Sequence, residues 1–181
     1  MPNPFYQVYA VAALAMGAEP VYVPATAATG FLPDYAALPT DVLDRVAIAY
    51  LCSPANPQGA IASKGYLAGL LALAEKHDFR IFSDECYSEI WRDTPPPGLL
   101  QVAASAGSDP ERAVVFHSLS KRSNLPGLRS GFVAAGPQSV RRIVTRRFCA
   151  RPSSVELSAI GLVRPMPIAL MRPAPTLSAA P

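Results

Sequence analysis

RVAIAYLCSPANPQG, residues 45–59, decides the reading of the fold. Its first half, RVAIAYLCS, is β-branched and apolar with no regular polar alternation, which suits a strand buried on both faces. The turn PANPQG, dense in Pro, Asn and Gly, ends it. SKGYLAGLLALAEKHD (63–78) follows, with Leu67, Leu70, Leu71 and Ala74 on one apolar stripe flanked by Tyr66 and Leu73. That spacing predicts an amphipathic helix, with Ser63 placed as N-cap but without the Glu of a full capping box. FRIFSDE (79–85) is then a second buried strand. Strand, helix, strand in this order predicts a parallel crossover unit.

The same grammar extends both ways. PFYQVYAVAALAMG (4–17) reads as a helix stopped at Gly17, and EPVYVPA (19–25) as a short strand. An irregular helical, Pro-rich segment spans about 85–112; AVVFHSLS (113–120) is a third buried strand and SGFVAAG (130–136) a fourth, after the loop that holds Arg129. The fold class is therefore α/β, a mostly parallel sheet with covering helices. In such sheets ligands gather beyond the carboxyl ends of the strands. The polar clusters PANPQG, SDECY and SLSK all fall at those ends.

Composition excludes other classes. A chain of 181 residues, 50% hydrophobic and 16% charged, is long enough for one domain with a sizeable core. The start MPNPFYQVY lacks the basic n-region and cleavage site of a signal peptide, so a cytoplasmic protein is expected. Cys52, Cys86 and Cys149 are far apart without a CxxC pair, signalling neither a disulfide framework nor a zinc site. The net charge of +3 is unevenly spread: residues 1–140 carry nine Lys and Arg against twelve Asp and Glu, and residues 141–181 carry seven Arg against Glu156 alone. With no interleaved aromatics around those arginines, nucleic acid is not an expected partner. The stretch 141–181 also has six prolines and no lysine, so beyond a helix reaching about Phe148 it is expected to be irregular, without a long helix or central strand. An out-of-frame translation of a GC-rich gene has this composition.

Each polar residue at the strand ends has an ordinary reading alone. Asp84 could cap a helix, Asn56 could shape a turn, and Lys121 could be solvated. Together, a carboxylate, an amide, a phenol, a lysine among hydroxyls and an arginine at one sheet edge compose a site for an anionic, heteroaromatic cofactor bound through lysine.

SPANPQG, SDECY and SLSKRSNLPGLRSGF (118–132), in that order, resemble the core signature of the class I and II aminotransferases, pyridoxal-phosphate enzymes of fold type I. Its most specific element is SxxK with an arginine eight residues after the lysine. NPFYQVY, GAEPVYVP, FLPDY and SDECYSEI extend the resemblance to bacterial N-succinyldiaminopimelate aminotransferases, over about residues 2–140 and none of the tail. The resemblance implies that Lys121 bonds the cofactor aldehyde and carries the proton of the reaction. It further implies that Asp84 pairs with the pyridinium nitrogen, Tyr87 and Asn56 donate to the phenolic oxygen, Ser118 and Arg129 hold the phosphate, and Tyr6 stacks on the ring. No metal is implied. Tyr9, Trp91, Phe132 and His117 are assigned to packing, and His77 to the helix dipole at a C-terminus.

The resemblance also sets expectations for the whole. Residues 1–140 are read as part of a cofactor-binding large domain and 141–181 as a tail outside it. Such enzymes are about twice this length, act on amino and keto acids, and work as homodimers. An upstream phosphate-binding loop and a downstream small domain with a carboxylate-clamping arginine have no counterpart here. A truncated, inactive gene product and another fold type I enzyme, such as a carbon–sulfur lyase, remain open beside the aminotransferase reading.

Overall fold

The computed structural model describes residues 1–148 and 160–163. In chain order these form β1 (Pro2–Asn3), α1 (Val8–Ala15), β2 (Val23–Pro24), α2 (Thr40–Leu43), β3 (Ile48–Cys52) and α3 (Lys64–Lys76). There follow β4 (Arg80–Asp84), α4 (Leu99–Ala106), β5 (Ala113–Ser118), α5 (Leu119–Arg122), β6 (Gly131–Ala135), α6 (Pro137–Phe148) and β7 (Ile160–Val163). The main sheet runs β3-β4-β5-β6-β7, and β1 and β2 pair parallel in a small sheet of their own.

β3, β4 and β5 are parallel, as their composition predicts, and both faces are covered. On one face α3 and α4 pack Leu67, Leu71, Leu99 and Val102 against Leu51, Ile81 and Val115. On the other, Val114 and Val133 meet Val140, Ile143 and Val144 of α6. Successive residues of β5 therefore bury alternately into two cores. This is why the strand sequences show no polar alternation. The departure is β6, which runs antiparallel to β5, with Ser118 opposite Gly131. Only the short α5 and one 3₁₀ turn (Pro126–Leu128) separate the two strands, too little for a covering crossover helix, so the chain turns straight back.

Local signals act where the sequence places them. The helix read over 4–17 is realised as α1, and it ends in a Schellman motif: Gly17 has φ +71°, its N–H reaches the Leu14 carbonyl at 3.0 Å, and Ala18 N–H reaches that of Ala13 at 2.9 Å. Ser63 Oγ accepts the Tyr66 N–H at 3.1 Å and starts α3. His77 at the end of α3 is buried and has a specific partner, Asp44 Oδ1, 2.7 Å from its Nδ1. Cys52 and Cys86 are free thiols, and Cys149 lies outside the described residues. Of the stretch read as irregular, Ile160–Val163 forms β7, a proline-free strand at the sheet edge, antiparallel to β6. The rest, 149–159 and 164–181, lies outside the described residues. Among the described residues no helix is long and apolar enough to cross a membrane.

Between the small sheet, α1 and β3 lies an apolar cavity of about 550 Å³, lined among others by Met1, Ala13, Val23, Leu43 and Tyr50. Leu71 of α3 is fully buried in the main core. Leu71→Ala is expected to lower unfolding free energy by about 2–5 kcal/mol, read by urea denaturation, because the transfer loss and the cavity left behind add.

Candidate active site

The site follows from register. Cys52 of β3 pairs with Asp84 of β4, and Asp84 with Phe116 of β5, so β3 and β4 end level with one another and β5 runs two residues further, to Ser118. The turn with Asn56, the segment Asp84–Tyr87 and the stretch Ser118–Lys121 leave the sheet from one edge. β6 enters that edge from the opposite direction. Leu119 N–H donates to the Ser130 carbonyl at 3.0 Å, which ties the loop of Arg129 to the end of β5.

Asn56 Nδ2 donates to the Tyr87 hydroxyl oxygen at 3.1 Å, joining two clusters 31 residues apart. Asp84 Oδ1 accepts the Cys86 N–H at 3.2 Å, and Oδ2 accepts the Tyr9 hydroxyl at 2.7 Å. Ser118 is the N-cap of α5, its Oγ accepting the Ser120 N–H at 3.2 Å. Its own O–H remains free to donate. Lys121 lies on α5 and is exposed. Arg129 is exposed and left-handed at φ +47°, a conformation that costs a non-glycine residue about 1–2 kcal/mol. Tyr6 is 47% exposed and meets Tyr9 edge-on, with ring centroids 5.9 Å apart.

The sequence reading missed Tyr9 and Glu85. Tyr9 does pack, stacking on Tyr50 at 4.6 Å, but its hydroxyl is also on Asp84, 75 residues away. A second tyrosine three residues after Tyr6 was the one available signal. Glu85 is buried, and its Oε1 accepts both Leu99 N–H at 2.9 Å and Ser83 Oγ at 3.0 Å. Burial pushes its carboxyl up, and those two hydrogen bonds oppose the shift without cancelling it. Burial, and secondarily the Arg122 charge, pushes His117 down, so the Glu85–His117 contact at 3.8 Å joins two groups whose shifts both run toward the neutral form. His117 also stacks on Phe132, as a packed side chain.

A model of the family "aminotransferase class I and II" matches residues 1–163. The chain belongs to the class I and II aminotransferase family. It is 38% identical over 144 residues to the LL-diaminopimelate aminotransferase of Desulforudis audaxviator, covering 79% of this chain and 36% of that one. It superposes on the aminotransferase AspB of Helicobacter pylori with a TM-score of 0.75 and 43% identity, over 81% of this chain and 38% of that one. A probable N-succinyldiaminopimelate aminotransferase of Thermus thermophilus gives 0.73 and 29%, over 80% and 38%. The chain thus spans 36% to 38% of the length of these aminotransferases.

Members of the family depend on pyridoxal phosphate. The donor set fits that cofactor. A half-buried carboxylate held by two donors suits a pyridinium nitrogen, and an amide already touching a phenol suits a shared phenolic oxygen. The exposed lysine, guanidinium and free serine O–H have the chemistry for an aldehyde and a phosphate.

Two expectations follow from this geometry. A Cβ on Gly131 would run into the His117 carbonyl, so Gly131→Ala is expected to displace β6 from β5 and carry Arg129 with it. Titration with pyridoxal phosphate should read an affinity about tenfold weaker or worse, and unfolding a loss of about 1–3 kcal/mol. Glu85 holds its proton in the fold at a pH where the unfolded chain has lost it, so its contribution is full below the ordinary glutamate range and falls as pH rises toward the folded value. Glu85→Gln should flatten the stability–pH curve in that window, measured by thermal unfolding.

Proposed function

We propose that this chain is the cofactor-binding core of a pyridoxal-phosphate aminotransferase that moves an amino group from an amino acid, glutamate foremost, to a keto acid. The observation that supports it is the shared register of β3, β4 and β5, with β3 and β4 ending level and β5 two residues beyond, so that Asn56, Asp84, Tyr87, Ser118 and Lys121 stand on or just past the carboxyl ends of neighbouring strands. When bound, pyridoxal phosphate supplies an aldehyde that condenses with amines and a ring that withdraws the electron pair freed at the substrate Cα. Lys121 is the chain's amine for that aldehyde and, when released, the base that takes the proton from substrate Cα. Asp84 holds the ring nitrogen in its protonated form. Tyr87 and Asn56 donate to the ring oxyanion, Arg129 and Ser118 hold the phosphate, and Tyr6 lies against the ring face.

The named activities of the relatives favour a substrate of the diaminopimelate and lysine biosynthetic route, such as N-succinyl-2-amino-6-ketopimelate. A cytoplasmic homodimer is the form expected for such an enzyme. The sequence contains three lysines; Lys121 lies on α5, directly after β5, and Lys64 and Lys76 lie at the two ends of α3. Incubation with pyridoxal phosphate, borohydride reduction and peptide mapping should therefore find one adduct, on Lys121. Lys121→Ala should abolish it and the visible absorbance. An adduct on Lys64 or Lys76, or none, overturns the proposal.

A further inference from the structure

Three tyrosine hydroxyls donate hydrogen bonds in this fold, and they do so in two ways. Tyr35 donates to the Tyr50 carbonyl and Tyr66 to the Pro33 carbonyl, the ordinary solution in which a buried phenol finds a backbone acceptor. Tyr9 donates to a side-chain carboxylate at the end of β4. Tyr9 is 6% exposed and its ring lies nearly parallel to that of Tyr50, with an interplanar angle of 11°, so packing sets the direction of the hydroxyl. Tyr50 in turn meets Phe82 edge-on at 5.7 Å, which anchors the stack to the neighbouring strand.

The bond also has a fixed polarity. Burial first, and then the negative charge of Asp84, hold the phenol protonated far above neutral pH. The phenol therefore donates and the carboxylate accepts. Because Oδ1 is taken by the Cys86 N–H and Oδ2 by Tyr9, the plane of the Asp84 carboxyl is set by protein alone, before any ligand arrives. The same ring supports Tyr6 through their edge contact.

We infer that Tyr9 is a positioning residue that acts through Asp84, locking the carboxylate as an oriented anion for the pyridinium nitrogen while supporting Tyr6 beside it. This rests on the reading of Asp84 as the partner of the ring nitrogen. Tyr9 itself need touch neither substrate nor cofactor.

The test is a double-mutant cycle read by equilibrium titration with pyridoxal phosphate, on variants shown to be folded by circular dichroism. Tyr9→Phe keeps the stack and removes only the hydroxyl, so it should weaken binding about ten- to a hundredfold, the scale of one hydrogen bond to a charged group. In an Asp84→Ala background the same substitution should change binding by less than about twofold, because the group it acts through is gone. The visible band of the bound cofactor should shift in Tyr9→Phe and stay in place in Tyr35→Phe, which removes a buried hydroxyl elsewhere. Equal effects of Tyr9→Phe in both backgrounds, or wild-type affinity and spectrum in Tyr9→Phe, overturn the positioning role alone. A wild-type chain that takes up no pyridoxal phosphate overturns the cofactor reading and this inference with it.

Discussion

The constraint on which the rest depends is the common register of three parallel strands. Cys52, Asp84 and Phe116 form a line across the sheet; β3 and β4 end on that line and β5 two residues beyond it. A slip of one residue in β4 would turn Asp84 to the opposite face and put Ser83 in its place. What prevents the slip is burial on both sides. Ile81 and Ser83 face the α3–α4 layer, where Ser83 finds Glu85, while Phe82 faces the aromatic row of Tyr50 and Phe116. The core thus fixes the position of the polar groups, and no polar group needs to fix the core.

From that line the site divides into two parts of different character. Asp84, Asn56 and Tyr87 are held by hydrogen bonds to one another or to α1. Lys121 and Arg129 stand on the short return between β5 and β6, both exposed. The first part is organised by the protein alone, and the second presents charge to solvent. Gly131 joins the two, since only a residue without Cβ lets β6 pass close to the His117 carbonyl.

The strands, α3 and the polar ends were legible because each rests on a local pattern: an unbroken apolar run, a helical stripe, a turn rich in Pro and Asn. Asp84 and Lys121 could be found from their places after such runs. The direction of β6 could not, because GFVAA has the same composition whichever way it pairs. The Tyr9–Asp84 bond and the His77–Asp44 pair join residues 75 and 33 positions apart, and no spacing rule reaches that far. The exposure of Lys121 and the positive φ of Arg129 belong to the tertiary path of the return. The proline pattern of the tail could not foresee that Ile160–Val163 would find the edge of β6.

The apolar cavity between α1, the small sheet and β3 has a consequence for how α1 holds its place. Above that space α1 rests on a small cluster of Met1, Tyr9 and Ala10 with Phe5, Ala13 and Tyr50. A helix of eight residues has little independent stability in water. Its place is therefore set by packing and by the bond from its tyrosine to the sheet. The few contacts that seat α1 also decide where the Tyr9 hydroxyl meets Asp84.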